Sequence, residues 1–158
     1  MKLLNEPDYK KNDVSEKTRI CSDIFIMVQA EVAKRIVATP ETKDYGKLTV
    51  SVQYAAEVEL IEWIDRKYFH PIPKVDSAII RIKPRVSPPR EVDSMKQFWS
   101  LINGIFQSRR KTLKNSLKQM DLAKPLLSYL DDNFDLSIRG ESMSIEELAF
   151  LSNELSRY

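Results

Sequence analysis

The chain has 158 residues, 42% of them apolar and 30% charged, enough to bury a core and too apolar to be disordered by composition. No apolar run approaches the roughly 20 residues that span a bilayer, and the polar stretch from Met1 to Lys11 does not read as a signal peptide. One cysteine, Cys21, excludes an internal disulfide framework, and with a single histidine it excludes a Cys/His zinc site. The chain therefore reads as a soluble cytoplasmic protein with neither a metal nor a membrane partner.

The net charge of +2 hides an asymmetry. Residues 66–120 carry 13 basic and 3 acidic side chains, whereas 1–65 carry 9 basic and 12 acidic and 121–158 carry 3 and 8. A basic block between acidic flanks suggests a surface that faces a polyanion, though a solvated helix face with scattered lysines has the same composition. Gly46, Gly104 and Gly140 lie far apart. A phosphate-cradling or dinucleotide-type turn needs two or three glycines within about six residues, and this sequence has none.

Asp23 to Val28 is a continuous apolar run of strand formers, which predicts a strand buried on both faces. Val28, Val32, Ile36 and Val37 then recur at helical spacing until Pro40. Leu48, Val50, Val52 and Tyr54 alternate, which by period alone predicts a strand. Glu57–Ile64 and Ser77–Ile82 read as two strands joined by a proline-rich loop, Asp65–Asp76. Pro84, Pro88 and Pro89 mark a stiff linker.

Everything beyond reads helical. Phe98, Trp99, Ile102, Ile105 and Phe106 recur at steps of three and four. Leu113, Leu117 and Met120 form a stripe, with Arg110, Lys114 and Lys118 on another. Pro125 suits a first helical turn ahead of Leu126, Leu127 and Leu130, and Ser144 with Glu147 forms a capping box before Leu148, Leu151 and Leu155. Met27, Met95, Met120 and Met143 read as core filler. The boundaries that follow are 1–86 for an α/β part, 87–91 for the linker and 92–158 for a small helical domain.

Two stretches could carry chemistry. In Tyr68-Phe69-His70-Pro71-Ile72-Pro73-Lys74, prolines stiffen a loop that presents aromatic faces, suited to stacking an unpaired base. Phe69 as a plug under the loop, with His70 a solvated bystander, fits the same residues. In Arg109-Arg110-Lys111-Thr112-Leu113-Lys114-Asn115-Ser116-Leu117-Lys118, five cations with no acid stand at a predicted helix start, where backbone donors would add to phosphate binding. Arg81, Lys83 and Arg85 are a second basic candidate, at a strand end.

Four segments taken in order, Met27–Ile36, Lys43-Asp-Tyr-Gly-Lys-Leu48, Phe69-His-Pro-Ile-Pro-Lys-Val-Asp-Ser77 and Phe106-Gln-Ser-Arg-Arg-Lys-Thr-Leu-Lys-Asn115, resemble the ribosomal RNA adenine N6,N6-dimethyltransferase family. That resemblance implies an S-adenosylmethionine (SAM) enzyme that dimethylates two adjacent adenines of small-subunit rRNA in a pre-30S-type particle. It implies a partial SAM methyltransferase sheet (α/β) ending in its reversed terminal hairpin, followed by a small all-α domain, and a helix rather than a strand at Leu48–Ala55. By matched position, Phe69 would pack against the flipped adenine, and Arg109, Arg110 and Lys111, with Lys114 and Lys118, would grip rRNA. The family's glycine-rich cofactor turn and its Asn-Leu-Pro-Tyr motif have no counterpart here, and Met1-Lys-Leu-Leu looks like the tail of the helix after that motif. The expectation is a chain that matches the family's C-terminal part, inactive without a separate N-terminal half. A non-catalytic RNA- or DNA-binding module derived from the family is the alternative, and a gene remnant a third.

Overall fold

The computed structural model describes residues 22–107, 111–120 and 124–157. Met1–Leu4, Cys21, Arg109 and Arg110 lie outside the described residues.

Strand β1 (Ile24–Gln29) runs directly into helix α1 (Ala30–Ile36), and helix α2 (Lys47–Ala55) runs directly into strand β2 (Ala56–Ile64). Strand β3 (Ser77–Pro84) lies between the other two, giving the order β1-β3-β2 with both pairings antiparallel. The two predicted hairpin strands therefore pair as read. Ile61 is an extra residue between the Leu60 and Glu62 pairs, and this bulge turns Trp63 opposite Ala78. The ring then meets α1, with the Lys34 ammonium 5.6 Å from its centroid.

α1 and α2 cover one face of this sheet. Ala33, Ile36, Ala78 and Ile80 are buried there, with Ile26, Val28, Leu48, Val52, Val58 and Leu60 packed around them. On the other face of β1, Phe25 is 61% and Met27 54% exposed. The expectation of a strand buried on both faces is thus corrected: among the described residues, one face of β1 is covered and its outer edge is unpaired.

The alternation in α2 is explained by two-sided burial. Leu48 and Val52, four residues apart, pack toward the sheet, while Val50 and Tyr54, also four apart, pack toward the helices beyond the linker. Two helical stripes offset by two residues look like a strand in sequence. The period alone predicted a strand. The chain forms a helix.

Past the linker come α3 (Met95–Gln107), α4 (Leu113–Lys118), α5 (Lys124–Asn133) and α6 (Ile145–Ser156). Phe98, Leu101, Ile102 and Ile105 of α3 pack with Leu113 and Leu117 of α4, Leu126 and Leu130 of α5, and Leu148, Leu151 and Leu155 of α6. The capping box forms: Glu147 N donates to Ser144 Oγ (3.2 Å) and Ser144 N donates to Glu147 Oε2 (2.7 Å). Of the four methionines read as core filler, Met143 is buried and Met120 packs against the core, whereas Met27 and Met95 are exposed.

The helical core reaches back across the linker. Tyr54 stacks at 4.8 Å on Phe98, Tyr45 meets Phe106 edge-on at 5.9 Å, and the Tyr45 hydroxyl donates to the Met143 carbonyl at 2.9 Å. Burial, with Glu146 and Glu147 nearby, raises the Tyr45 pKa far above the ordinary phenol value. It stays a neutral donor.

Candidate nucleic-acid interface

The loop between β2 and β3 is held by its own hydrogen bonds. Asp65 caps a short 3₁₀ turn (Arg66–Tyr68), its Oδ1 accepting from Lys67 N at 2.8 Å, and its Oδ2 lies 3.2 Å from the Lys67 ammonium. These bonds from Lys67 hold the Asp65 carboxyl below the ordinary aspartate value. At the far end, Asp76 Oδ1 accepts from Arg66 N at 3.0 Å and the Arg66 guanidinium donates to the Lys74 carbonyl at 3.2 Å. Ala30 N donates to the Asp76 carbonyl at 2.9 Å, tying the loop to the first turn of α1. His70-Pro71 is a cis peptide.

Both carboxylates of the loop are thereby engaged, and Arg66 to Val75 contains three cations and no acid. Phe69 is half-buried and belongs to neither of the two core clusters, while His70 is exposed. Tyr68 is 74% and Ile72 65% exposed. Sequence reasoning named the aromatic pair but passed over Arg66 and Lys67, although the absence of acid from 66 to 75 was visible.

The second predicted stretch is only partly available. Arg109 and Arg110 lie outside the described residues. Lys111 is half-buried just before α4 and Lys118 is exposed at its end, but Lys114 pairs with Asp131 of α5. The expected helix-terminal donors are also taken. Leu113 N donates to the Ile138 carbonyl at 2.8 Å, Lys114 N to Leu136 at 3.0 Å, and Asn115 N to Thr112 Oγ1 at 3.4 Å. Returning chain caps this helix, so its first backbone amides are not free to receive a phosphate.

The alternative basic strand is neutralised. Arg81 bonds Asp23 (3.1 Å) and Glu59 (3.3 Å), and Lys83 and Arg85 approach Glu57 at 3.7 and 3.4 Å. The bond from Asp23 raises the Arg81 pKa most, with Glu59 adding to it. A 260 Å³ depression beside these residues is lined by Glu57, Val58, Glu59, Arg81 and Lys83. Four of its five walls are charged, which suits paired ions and not an organic cofactor. Among the described residues, no three His, Cys, Asp or Glu side chains converge as a metal group, and no helix is long and apolar enough to cross a membrane.

The family described as ribosomal RNA adenine dimethylase matches residues 1–148. Proteins named ribosomal RNA small subunit methyltransferase A are 44% identical over 137 residues in Halothermothrix orenii, covering 84% of this chain and 46% of that one. The match to the Clostridium acetobutylicum protein of the same name is 42% over 136 residues, covering 85% and 49%. The chain thus spans about half the length of these curated relatives. Among solved structures, a dimethyladenosine transferase from Plasmodium falciparum superposes with a TM-score of 0.71 at 21% identity, over 86% of this chain and 57% of that one. The 23S rRNA methyltransferase ErmE superposes at 0.56 with 27% identity, over 85% and 55%.

Proposed function

Because the chain belongs to the ribosomal RNA adenine dimethylase family, we propose that it supplies the target-binding half of an adenine N6,N6-dimethyltransferase for small-subunit rRNA. The observation that carries this reading is the unfinished sheet. Among the described residues, β1 offers an unpaired edge and the exposed side chains Phe25 and Met27, as a strand does when further sheet and helices belong against it.

SAM is the methyl donor of this family. The described residues do not fit it: their glycines are isolated, and the depression on the sheet is ringed by ions. Cofactor chemistry therefore belongs to a complementary N-terminal half, whether joined to this chain or separate, and this chain alone transfers no methyl group. Its own residues orient the RNA. Phe69, on a loop fixed by Asp65 and Asp76, packs on the face of an adenine taken out of its stack. Lys111 and Lys118, with Arg109 and Arg110, bind phosphates, Lys114 being held by Asp131, and the helical part from about residue 92 carries that contact. The setting is a cytoplasmic pre-30S-type particle.

Isothermal titration with SAM, followed by methylation of small-subunit rRNA, tests this. The chain alone should show neither binding nor turnover, and co-expression with the N-terminal half of the Halothermothrix orenii relative should restore both. Saturable micromolar binding by the chain alone would overturn the division of labour. In RNA binding, alanine at Arg109, Arg110 and Lys111 should flatten the slope of log K against log salt by about two to three units, at roughly 0.7–0.9 per phosphate. An unchanged slope would move the phosphate contacts elsewhere.

A further inference from the structure

We propose that the exposed ring of Tyr68 is a second stacking platform, holding an unpaired RNA base next to the one assigned to Phe69. This rests on the rRNA-binding reading of the chain and adds to it a residue and a nucleotide.

Tyr68 leaves more of itself in water than any other described aromatic residue, at 74%, and packing does not explain its position. What holds it there is local. Tyr68 N donates to the Asp65 carbonyl at 3.1 Å and Phe69 N to Arg66 at 3.2 Å, so the turn fixes the backbone under the ring. The Lys67 ammonium, pinned by Asp65 at 3.2 Å, lies 5.2 Å from the Tyr68 centroid. The ring carries a cation on one face and is otherwise largely in water. A rigid two-torsion side chain presented this way loses little entropy when a flat ligand stacks on it.

The surroundings select the ligand. Lys67 lies over the ring, Arg66 precedes it on the same turn and donates to the Lys74 carbonyl, and the two flanking carboxylates, Asp65 and Asp76, are bonded inward to the loop. A π-face among cations matches single-stranded nucleic acid, in which every base offers a face and every linkage a negative charge. Tyr68 and Phe69 are consecutive, so two neighbouring bases of one strand can be received, one on the half-buried ring and one on the exposed ring.

The test uses the full chain and an RNA hairpin whose single-stranded loop holds two adjacent adenines, with 2-aminopurine at the next loop position. Binding should quench the 2-aminopurine. Tyr68→Ala should weaken binding about 5-fold or more and remove the quench, with the melting temperature and the salt slope unchanged, since neither packing nor charge is lost. Tyr68→Phe should retain the affinity. Tyr68→Leu, apolar without a π-face, should not. Wild-type affinity in Tyr68→Ala overturns the inference and leaves the rRNA reading standing, whereas no hairpin binding by the wild-type chain overturns both. Loss of binding to phosphatidylserine-containing vesicles with RNA affinity unchanged would assign the ring to a membrane surface and also overturn it.

Discussion

Phe25 and Phe98 are the same residue in comparably apolar stretches, yet Phe25 is 61% exposed and Phe98 fully buried. The difference lies in the company each element keeps. Among the described residues, β1 pairs with β3 and packs on α1 from one side only, while α3 is surrounded by α2, α4, α6 and the turn before α6. Apolar composition states what an element needs to bury, not whether the partner is at hand. The helical part closes on itself and draws in Tyr45, Val50 and Tyr54, whereas the cluster under the sheet has four buried apolar residues among the described ones and leaves the other face of β1 exposed.

That contrast breaks most sharply under alanine. Phe98→Ala should cost about 3–5 kcal/mol, a large share of a typical domain's stability, because it removes ring contacts with Tyr54 and Trp99 and leaves a cavity. Phe25→Ala should stay within about 0.5 kcal/mol in the same urea titration. A comparable loss at Phe25 would mean that the open face is covered in solution, by a second copy or by another part of the chain. Once a complementary half is bound, Phe25→Ala should become costly. That change would locate the contact.

A milder version of the contrast uses two glycines. Gly140 is buried in the turn before α6, and a Cβ there would run into the Ile105 side chain. Gly140→Ala should therefore destabilise by about 1–3 kcal/mol, as overpacking of a full core does. Gly46 has nothing within 4 Å of the same position, and its backbone is extended, as any residue allows. Gly46→Ala should be neutral or stabilise by up to about 1 kcal/mol through the unfolded chain. Thermal melts separate the two, and equal losses would show the sheet part to be as tightly filled as the helical part.

Local signals in the sequence survived into the structure, and tertiary ones did not. The Ser144–Glu147 box needs only residues within one turn, and it forms as read. The antiparallel pairing of the two loop-linked strands was likewise legible from period and loop length. The α2 helix was misread by period because its second stripe faces a core assembled from residues 40 or more positions away, and only family resemblance corrected it. The basic stretch at 109–118 looked free because Asp131 and the carbonyls of Leu136 and Ile138, which engage Lys114 and the start of α4, arrive from a later segment. Phe69 was legible as a residue on a stiff loop. The exposure of its neighbour Tyr68 and the cation held over it depend on the folded turn that Asp65 caps, which no local pattern specifies.

The smallest expected effect compares two exposed carboxylates, one from each part. Asp65 accepts from Lys67 N and pairs with its ammonium, while Asp135 accepts from the Ser137 hydroxyl and from Ser137 N at 2.9 Å. Both are held below the ordinary aspartate value, Asp65 by the bonds from Lys67 and Asp135 by those from Ser137. A carboxyl with a depressed folded pKa adds stability above its unfolded pKa and loses it as the pH falls through the folded value. Both contributions are thus complete at pH 7 and vanish in acid below the usual carboxylate range. The causes differ in their response to salt. The Lys67 ammonium is a solvent-exposed charge that ions screen, with a Debye length near 10 Å at 0.1 M and about 3 Å at 1 M, whereas the Ser137 donors are neutral. Carboxyl-carbon NMR titrations at low and high salt should therefore show the Asp65 midpoint rising toward its ordinary value and the Asp135 midpoint holding. Lys67→Met should reproduce the high-salt Asp65 titration at low salt, since Asp65 keeps its backbone bond and loses only the cation. If the Asp65 midpoint ignores both salt and Lys67→Met, the ammonium does not sit against that carboxylate in solution, and the cation over the Tyr68 ring loses its anchor.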